Sequence, residues 1–218
     1  MSASTPIEWT DKTWNPTRGC RRVSPGCQHC YAERVAYRFS GEGKPYEGLV
    51  RPGKGGPVWT GEGRFVPDAL DAPLRWRKPQ RVFVNSMSDL FFEEFSFEEI
   101  AAVFGVMAAA PRHTFQVLTK RAARAAAFFE WLAKEGEALG AGPLDRCLIA
   151  ARNFVEVSDS GHPAWPLRNV WIGASVEDQQ RARERLPHLL KIPAAVRFVS
   201  YEPALEAVDF RPYLLPAP

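Results

Sequence analysis

From Arg81 onward the chain alternates two hydrophobic rhythms. "RVFVNS" (81–86) is a short β-branched and aromatic run with the pattern of a buried strand. "SFEEIAAVFGVMAAAP" (96–111) places Ile100, Val103, Phe104 and Met107 on one helical face, with Ser96 and Glu99 in capping-box spacing and Pro111 as the stop. "TFQVLTK" (114–120) reads as a second buried strand. The Ala-rich "AARAAAFFEWLAKEGEALG" (122–140) reads as a helix with Phe128, Phe129 and Leu132 inward, ending near Gly136 or Gly140. "NVWIGAS" (169–175) is a third strand, and Ser175 with Asp178 has capping-box spacing for a helix through about Leu190. "AVRFVSYEP" (195–203) is a fourth, while Glu135 to Asn169 includes an irregular stretch to which the pattern assigns no element.

Upstream, "IEWTDKTW" (7–14) alternates weakly through Ile7, Trp9 and Thr13, which adds a fifth strand. "CYAERVAYRF" (30–39) sets Ala32, Val35, Ala36 and Phe39 at helical spacing, so Cys30 opens a short helix. Residues 40–79 break the rhythm with eight glycines and five prolines before Pro79. This is a Gly/Pro-rich insertion, either a lid or partner-contacting region or a plain solvated connection. Apolar strands alternating with helices predict an α/β fold, a parallel sheet covered by helices, within a single domain over 1–218.

Polar residues gather where each strand ends. These are Asn85, Ser86, Ser88 and Asp89; Thr119 and Lys120; Ser175 and Glu177; Ser200, Tyr201 and Glu202. Parallel α/β sheets bind ligands at that end, where loops and helix N-termini present donors. Asp11 and Asn15 are placed to fix the loop after the first strand through backbone amides.

Composition narrows the partners. An apolar fraction of 45% and a charged fraction of 24% are those of an ordinary globular protein, and the net charge of +3 implies neither nucleic acid nor membrane by itself. No apolar run is long enough to span a bilayer, and the start "MSASTPIEWTDKTW" has no secretory pattern. A cytoplasmic location follows as the expectation, and there clustered cysteines bind metal or do redox chemistry more often than they form disulfides.

Three of the four cysteines lie in "TWNPTRGCRRVSPGCQHCYAERVA" (13–36), as C-x6-C-x2-C at Cys20, Cys27 and Cys30. A closed structural zinc site needs a fourth ligand. His29 is adjacent to Cys30 and awkward as a co-ligand, and Cys147 in "DRCLIAA" reads as a buried small hydrophobe. The four histidines show no ligand spacing. An iron–sulfur cluster on three thiolates leaves one iron open, and an open iron is a reaction site. Trp9 and Trp14 flank the loop, either as a shield or as core.

The loop resembles, in widened form, the three-cysteine loop of the radical S-adenosylmethionine (radical SAM) superfamily. Its six-residue first gap is wider than the usual one. The segments "IEWTDKTWNPTRGCRRVSPGCQHCYAE", "VFVNSMSDLF", "FQVLTKR", "NVWIGASVED" and "VRFVSYEPALEAVD" resemble a phage-associated family of uncharacterised function, the phage gp thirty-seven/gp sixty-eight family, over most of the chain. The resemblance implies a partial TIM-type (β/α) barrel of about five strands, lacking the usual sixth unless a partner completes it. It further implies a [4Fe–4S] cluster on Cys20, Cys27 and Cys30, with S-adenosylmethionine chelating the open iron and yielding a 5'-deoxyadenosyl radical on reductive cleavage. Asn85, Ser86, Ser88 and Asp89 would then recognise the methionine amino group, Ser175 and Glu177 the carboxylate or ribose, and Lys120 would offset the carboxylate. A flavodoxin or ferredoxin would be the reductant.

A different class of function fits the same loop. A zinc-binding nucleic-acid module would set Arg18, Arg21, Arg22, Arg34 and Arg38 against phosphates, unless acids such as Glu33 pair with some of them. A radical enzyme acting on nucleic acid would use Arg51, Lys54, Trp59 and Arg64 of the insertion as contacts.

Overall fold

The computed structural model describes residues 7–157 and 164–214. The terminus at Pro218, on which the expectation of a lacking sixth strand turns, lies outside the described residues. The chain begins with β1 (Lys12–Trp14) and β2 (Thr17–Arg18), passes the cysteine loop, and enters α1 (Tyr31–Tyr37). Three short strands follow, β3 (Val50–Arg51), β4 (Val58–Trp59) and β5 (Arg64–Phe65), and then α2 (Ala72–Arg75). The alternating part runs β6 (Arg81–Val84), α3 (Phe97–Ala109), β7 (Thr114–Thr119), α4 (Ala122–Ala138), α5 (Pro143–Arg152), β8 (Val170–Ser175), α6 (Gln179–Lys191) and β9 (Val196–Ser200).

The main sheet has five strands in the order β1-β6-β7-β8-β9, and every pairing in it is parallel. Register makes its two faces different. Trp14, Val84, Val117 and Ile172 lie abreast across four strands, all at most 2% exposed, in one cluster with residues of α3, α4, α5 and α6. Helices therefore cover that face. The opposite face sets Thr13, Phe83, Gln116 and Trp171 abreast. There the Trp9 ring packs on Phe83 at 4.7 Å and the Phe198 ring lies over Gly173, where a Cβ would come within 2.5 Å of it.

Helix α3 starts as its sequence dictates. Ser96 Oγ accepts from the Glu99 N–H at 3.2 Å, and Glu99 Oε2 accepts from the Ser96 N–H at 2.8 Å. Helix α4 outlasts Gly136, which is buried, and the chain reverses at Gly140 with φ +64°. At the start of α6, Asp178 is itself the N-cap, accepting from the Arg181 N–H at 2.6 Å, so Ser175 is the last residue of β8 and not a cap.

Three other expectations need correction. The first strand is only Lys12–Trp14, because the chain turns at Ile7–Thr10 (Thr10 N–H to Ile7 C=O, 3.2 Å). The unassigned stretch contains α5, which packs along α3 so closely that a Cβ at Gly105 would lie 2.3 Å from the Cys147 carbonyl oxygen. The insertion is not a loose connection. β3 pairs with β4 and β5 with β2, both antiparallel, and Tyr46, Leu49, Val50 and Trp59 are buried against Ala32, Ala36 and Met87.

Candidate functional site

The cysteine loop lies across the carboxyl ends of the sheet strands. Gly19 bridges to Ser88, beyond β6, with φ +87°, and a Cβ there would fall 2.2 Å from the Glu62 carbonyl oxygen. Only glycine suits this position, and it delivers Cys20 directly beside the sheet. The loop then makes a single turn of 3₁₀ helix at Pro25–Cys27. A Cβ at Gly26 would be 3.1 Å from both the Glu177 carboxyl carbon and Pro203 Cδ, beyond the ends of β8 and β9. Cys30 keeps an extended backbone as the residue capping α1. Cys20, Cys27 and Cys30 are all unpaired and partly exposed, while Cys147 is buried in α5 as expected.

The insertion buttresses this loop. Cys20, Cys30 and Val35 pack on the cluster formed by Tyr46, Leu49, Val50, Trp59 and Met87. Glu33 is 1% exposed and its carboxylate accepts from Arg22 Nε at 2.9 Å and Nη2 at 2.6 Å, and from the Trp59 N–H at 3.0 Å. Arg22 is thus engaged with an acid of α1. Tyr31 Oη donates to the Ser86 carbonyl at 2.7 Å, and burial, aided by the nearby Cys30, pushes its pKa up to about 12. Trp14 is core, with Nε1 donating to the Ala69 carbonyl, so it does not screen the cysteines.

Asp89 and Arg121 join loop to sheet. Asp89 Oδ1 accepts from Thr119 Oγ1 (2.7 Å) and the Phe91 N–H (3.0 Å); Oδ2 accepts from the Lys120 N–H (2.9 Å) and Arg121 Nη1 (3.3 Å). Arg121 also pairs with Glu93, donates from Nη2 to the Arg21 carbonyl at 3.0 Å, and directs Nη1 at Cys20 Sγ, 3.7 Å away. Burial opposes its charge, but Asp89, Cys20 and Glu93 together raise its pKa above the ordinary value.

Two of the thiols, Cys20 and Cys30, resist ionisation without a ligand. Burial pushes Cys20 up to about 12, against the pull of Arg121 and with help from Asp89. Burial also raises Cys30, opposed by the backbone N–H groups of Glu33 and Ala32. Ionised Cys27 would raise both, so the three form one electrostatic group. Among the described residues no three His, Cys, Asp or Glu side chains gather as ligands of a single metal ion. Three soft sulfurs on one loop, beside a guanidinium and backbone donors, are a donor set suited to an iron–sulfur cluster, whose thiolates sit on separate irons.

The polar residues singled out from sequence are mostly occupied. Ser86 Oγ donates to Asn15 Oδ1 at 3.2 Å, and Asn15 Oδ1 also accepts from the Met87 N–H. Ser88 Oγ is 2.7 Å from Thr17 Oγ1 and donates to the Thr17 carbonyl. Asp89 has no free oxygen lone pair to spare for a further strong donor. Glu177 is 0% exposed and forked by Arg185, which also donates to the Ser175 carbonyl. Asn85 differs. It holds φ +62°, donates from Nδ2 to Thr17 Oγ1 at 2.8 Å, and leaves Oδ1 buried with no partner. Lys120 is half-buried, and among the described residues no acid pairs with its amine. The residues that sequence reasoning passed over are Arg121 and Thr17; Glu33 is an expected partner for the loop arginines, as its pairing with Arg22 bears out, but its bond to the Trp59 N–H was not foreseen. Arg121 follows Lys120 directly at the end of a predicted strand, a position that by itself does not tell it from a solvated arginine.

None of the described helices is long and apolar enough to cross a membrane. No curated protein matches the chain, and no solved structure does. One family matches residues 4–213, almost the whole length, and by that match the chain belongs to the family described as "protein of unknown function (DUF5131)".

Proposed function

We propose that the chain is a radical SAM-type iron–sulfur protein in which Cys20, Cys27 and Cys30 hold a [4Fe–4S] cluster. The observation that carries this reading is the presentation of three unpaired, partly exposed thiols by one loop across the carboxyl end of a parallel sheet. Together with S-adenosylmethionine the cluster supplies, when bound, one-electron reductive cleavage to a 5'-deoxyadenosyl radical. The chain's own residues then divide the work. Asn85 offers a buried, unpartnered carbonyl oxygen, the acceptor that an ammonium group requires. Lys120 follows the last residue of β7, pairs with no acid among the described residues, and would offer its ammonium to a carboxylate. Ser86, Ser88 and Asp89 hold the loop's seat, and Glu177, locked by the Arg185 that also binds the Ser175 carbonyl, forms with Pro203 the floor beneath Gly26.

The face bearing Phe83, Gln116 and Trp171 serves as the inner wall of a partial barrel, the side on which a substrate would lie. A flavodoxin or ferredoxin in the cytoplasm supplies the electron. Exposed Arg51 and Lys54, at the β3–β4 hairpin, keep nucleic acid as a candidate substrate class, whereas Trp59 is buried and Arg64 donates to the Pro45 and Glu47 carbonyls.

Anaerobic isolation with iron and sulfide analysis tests the reading, followed by electron paramagnetic resonance of the reduced protein with and without S-adenosylmethionine. About four irons per chain and a signal that changes on adding S-adenosylmethionine are expected. A Cys20→Ala variant that keeps its full iron and spectrum overturns it, and zinc in place of iron overturns it in favour of the zinc-binding nucleic-acid module.

A further inference from the structure

Arg121 is at the centre of a contact that the fold does not require. Its side chain is 5% exposed at the start of α4, fixed by Glu93 on Nε, Asp89 on Nη1, the Arg21 carbonyl on Nη2 and the Phe92 ring 4.8 Å from its guanidinium carbon. Two acids and a carbonyl already satisfy an ion pair that joins loop to sheet. The same Nη1 nevertheless reaches Cys20 Sγ at 3.7 Å, joining positions 101 residues apart. Among the described residues no guanidinium donates to the sulfur of Cys27 or Cys30; Arg22 lies near both, but its Nε and Nη2 are taken by Glu33. Cys27 Sγ has Ser24 Oγ at 3.8 Å, and Cys30 has the backbone N–H groups of its helix.

A cation donating to a ligating sulfur draws electron density from the iron and stabilises the reduced, more negative cluster. Resting on the iron–sulfur reading above, we infer that Arg121 is a positioning residue that raises the reduction potential of the cluster through Cys20, with Glu93 moderating it. The two acids keep the guanidinium from swinging toward a bound small molecule. Its effect is therefore present before S-adenosylmethionine arrives. The step concerned is the one-electron reduction of the oxidised cluster by an external reductant.

The test is a potentiometric titration of the reconstituted full chain, followed by electron paramagnetic resonance without S-adenosylmethionine. Arg121→Gln should shift the midpoint to more negative potential, with a tenfold lower reduced-to-oxidised ratio at fixed potential, about 59 mV for one electron. Glu93 has a half-exposed side chain, so Glu93→Gln should fold normally. It removes a negative charge and should shift the midpoint the other way by a smaller amount. Opposite signs distinguish tuning from general loosening, which would move both variants alike.

Two variants shifted in the same direction, or no shift in Arg121→Gln, overturn the inference. If Arg121→Gln cannot hold a cluster, Arg121→Lys decides with Glu93→Gln. Lysine keeps the charge but loses the fork, a smaller negative shift is expected, and unchanged potentials in both overturn the inference. A wild-type chain that takes up no iron sinks the parent reading; a loaded wild type with unshifted variants sinks this inference alone.

Discussion

On the helix-covered face, Phe91, Phe104, Phe115, Phe128 and Ile172 sit in one continuous apolar cluster that spans β1, β6, β7 and β8 of the main sheet. Around the cysteines, the apolar cluster consists of Ala32, Ala36, Tyr46, Leu49, Val50, Trp59 and Met87, and its other fastenings are the charged groups Glu33, Asp89 and Arg121. The first region is held by removal of apolar surface from water, which needs no particular partner. The second relies on a few directional hydrogen bonds to buried charges, each of which fails sharply when one member is lost. A scaffold of the first kind can keep its shape while a loop of the second kind is adapted to hold a ligand.

The largest effect should come from the scaffold. Phe128 is fully buried and its ring meets those of Phe91, Phe97, Phe104, Phe129 and Trp131. Phe128→Ala should cost about 3–5 kcal/mol of unfolding free energy, read from urea melts. A loss below ~1 kcal/mol would mean that the cluster can close over the hole and that the contrast between the two regions is overstated.

Glu33→Ala probes the other region. It strands the buried Trp59 N–H, a cost of about 1–3 kcal/mol. The Arg22 pairing adds little, because that guanidinium is 37% exposed and solvent screens it. Alkylation of the metal-free protein separates the regions. Cys20 and Cys30 should react faster in the variant while Cys147, 0% exposed, stays protected until global unfolding. Equal acceleration at Cys147 would show one cooperative unit in place of two.

The scaffold was legible in the sequence because its signals are local. The capping box at Ser96 and Glu99 and the apolar runs of β6, β7 and β8 each fall within one short window. Helix α5 escaped because Leu144, Cys147, Leu148, Ala150 and Ala151 carry its buried face with two alanines and a cysteine, and because Pro143 reads as a breaker although it occupies the first helical turn, where proline is tolerated. Around the proposed site, the gathering of three cysteines on one loop was legible from spacing alone. What surrounds them was not. Thr17 meets Ser88 across 71 residues, Trp59 meets Glu33 across 26, and no local pattern distinguishes Arg121 from a solvated arginine. Polar residues at strand ends were read as free for ligand, whereas tertiary packing had already engaged Ser86, Ser88, Asp89, Thr119 and Glu177 and left Asn85 Oδ1 buried without a partner.

The smallest effect sharpens the comparison through pH. His113 is 1% exposed in the scaffold, between the rings of Trp76 and Phe115, with Nε2 3.0 Å from the Pro73 carbonyl and Nδ1 buried without a partner. Burial, with smaller pushes from the charges of Arg112 and Lys12, lowers its pKa below the ordinary 6.5, against the pull of the Pro73 carbonyl. The folded chain thus prefers neutral imidazole, and the unfolded chain binds more protons as pH falls below 6.5. Its stabilising contribution is complete above that pH and declines as pH drops toward the folded value. Urea melts between about pH 7.5 and pH 5.5 should show stability falling on acidification in the wild type and falling less in His113→Gln. An identical slope in the two proteins would place the acid sensitivity outside His113 and its pocket between Trp76 and Phe115.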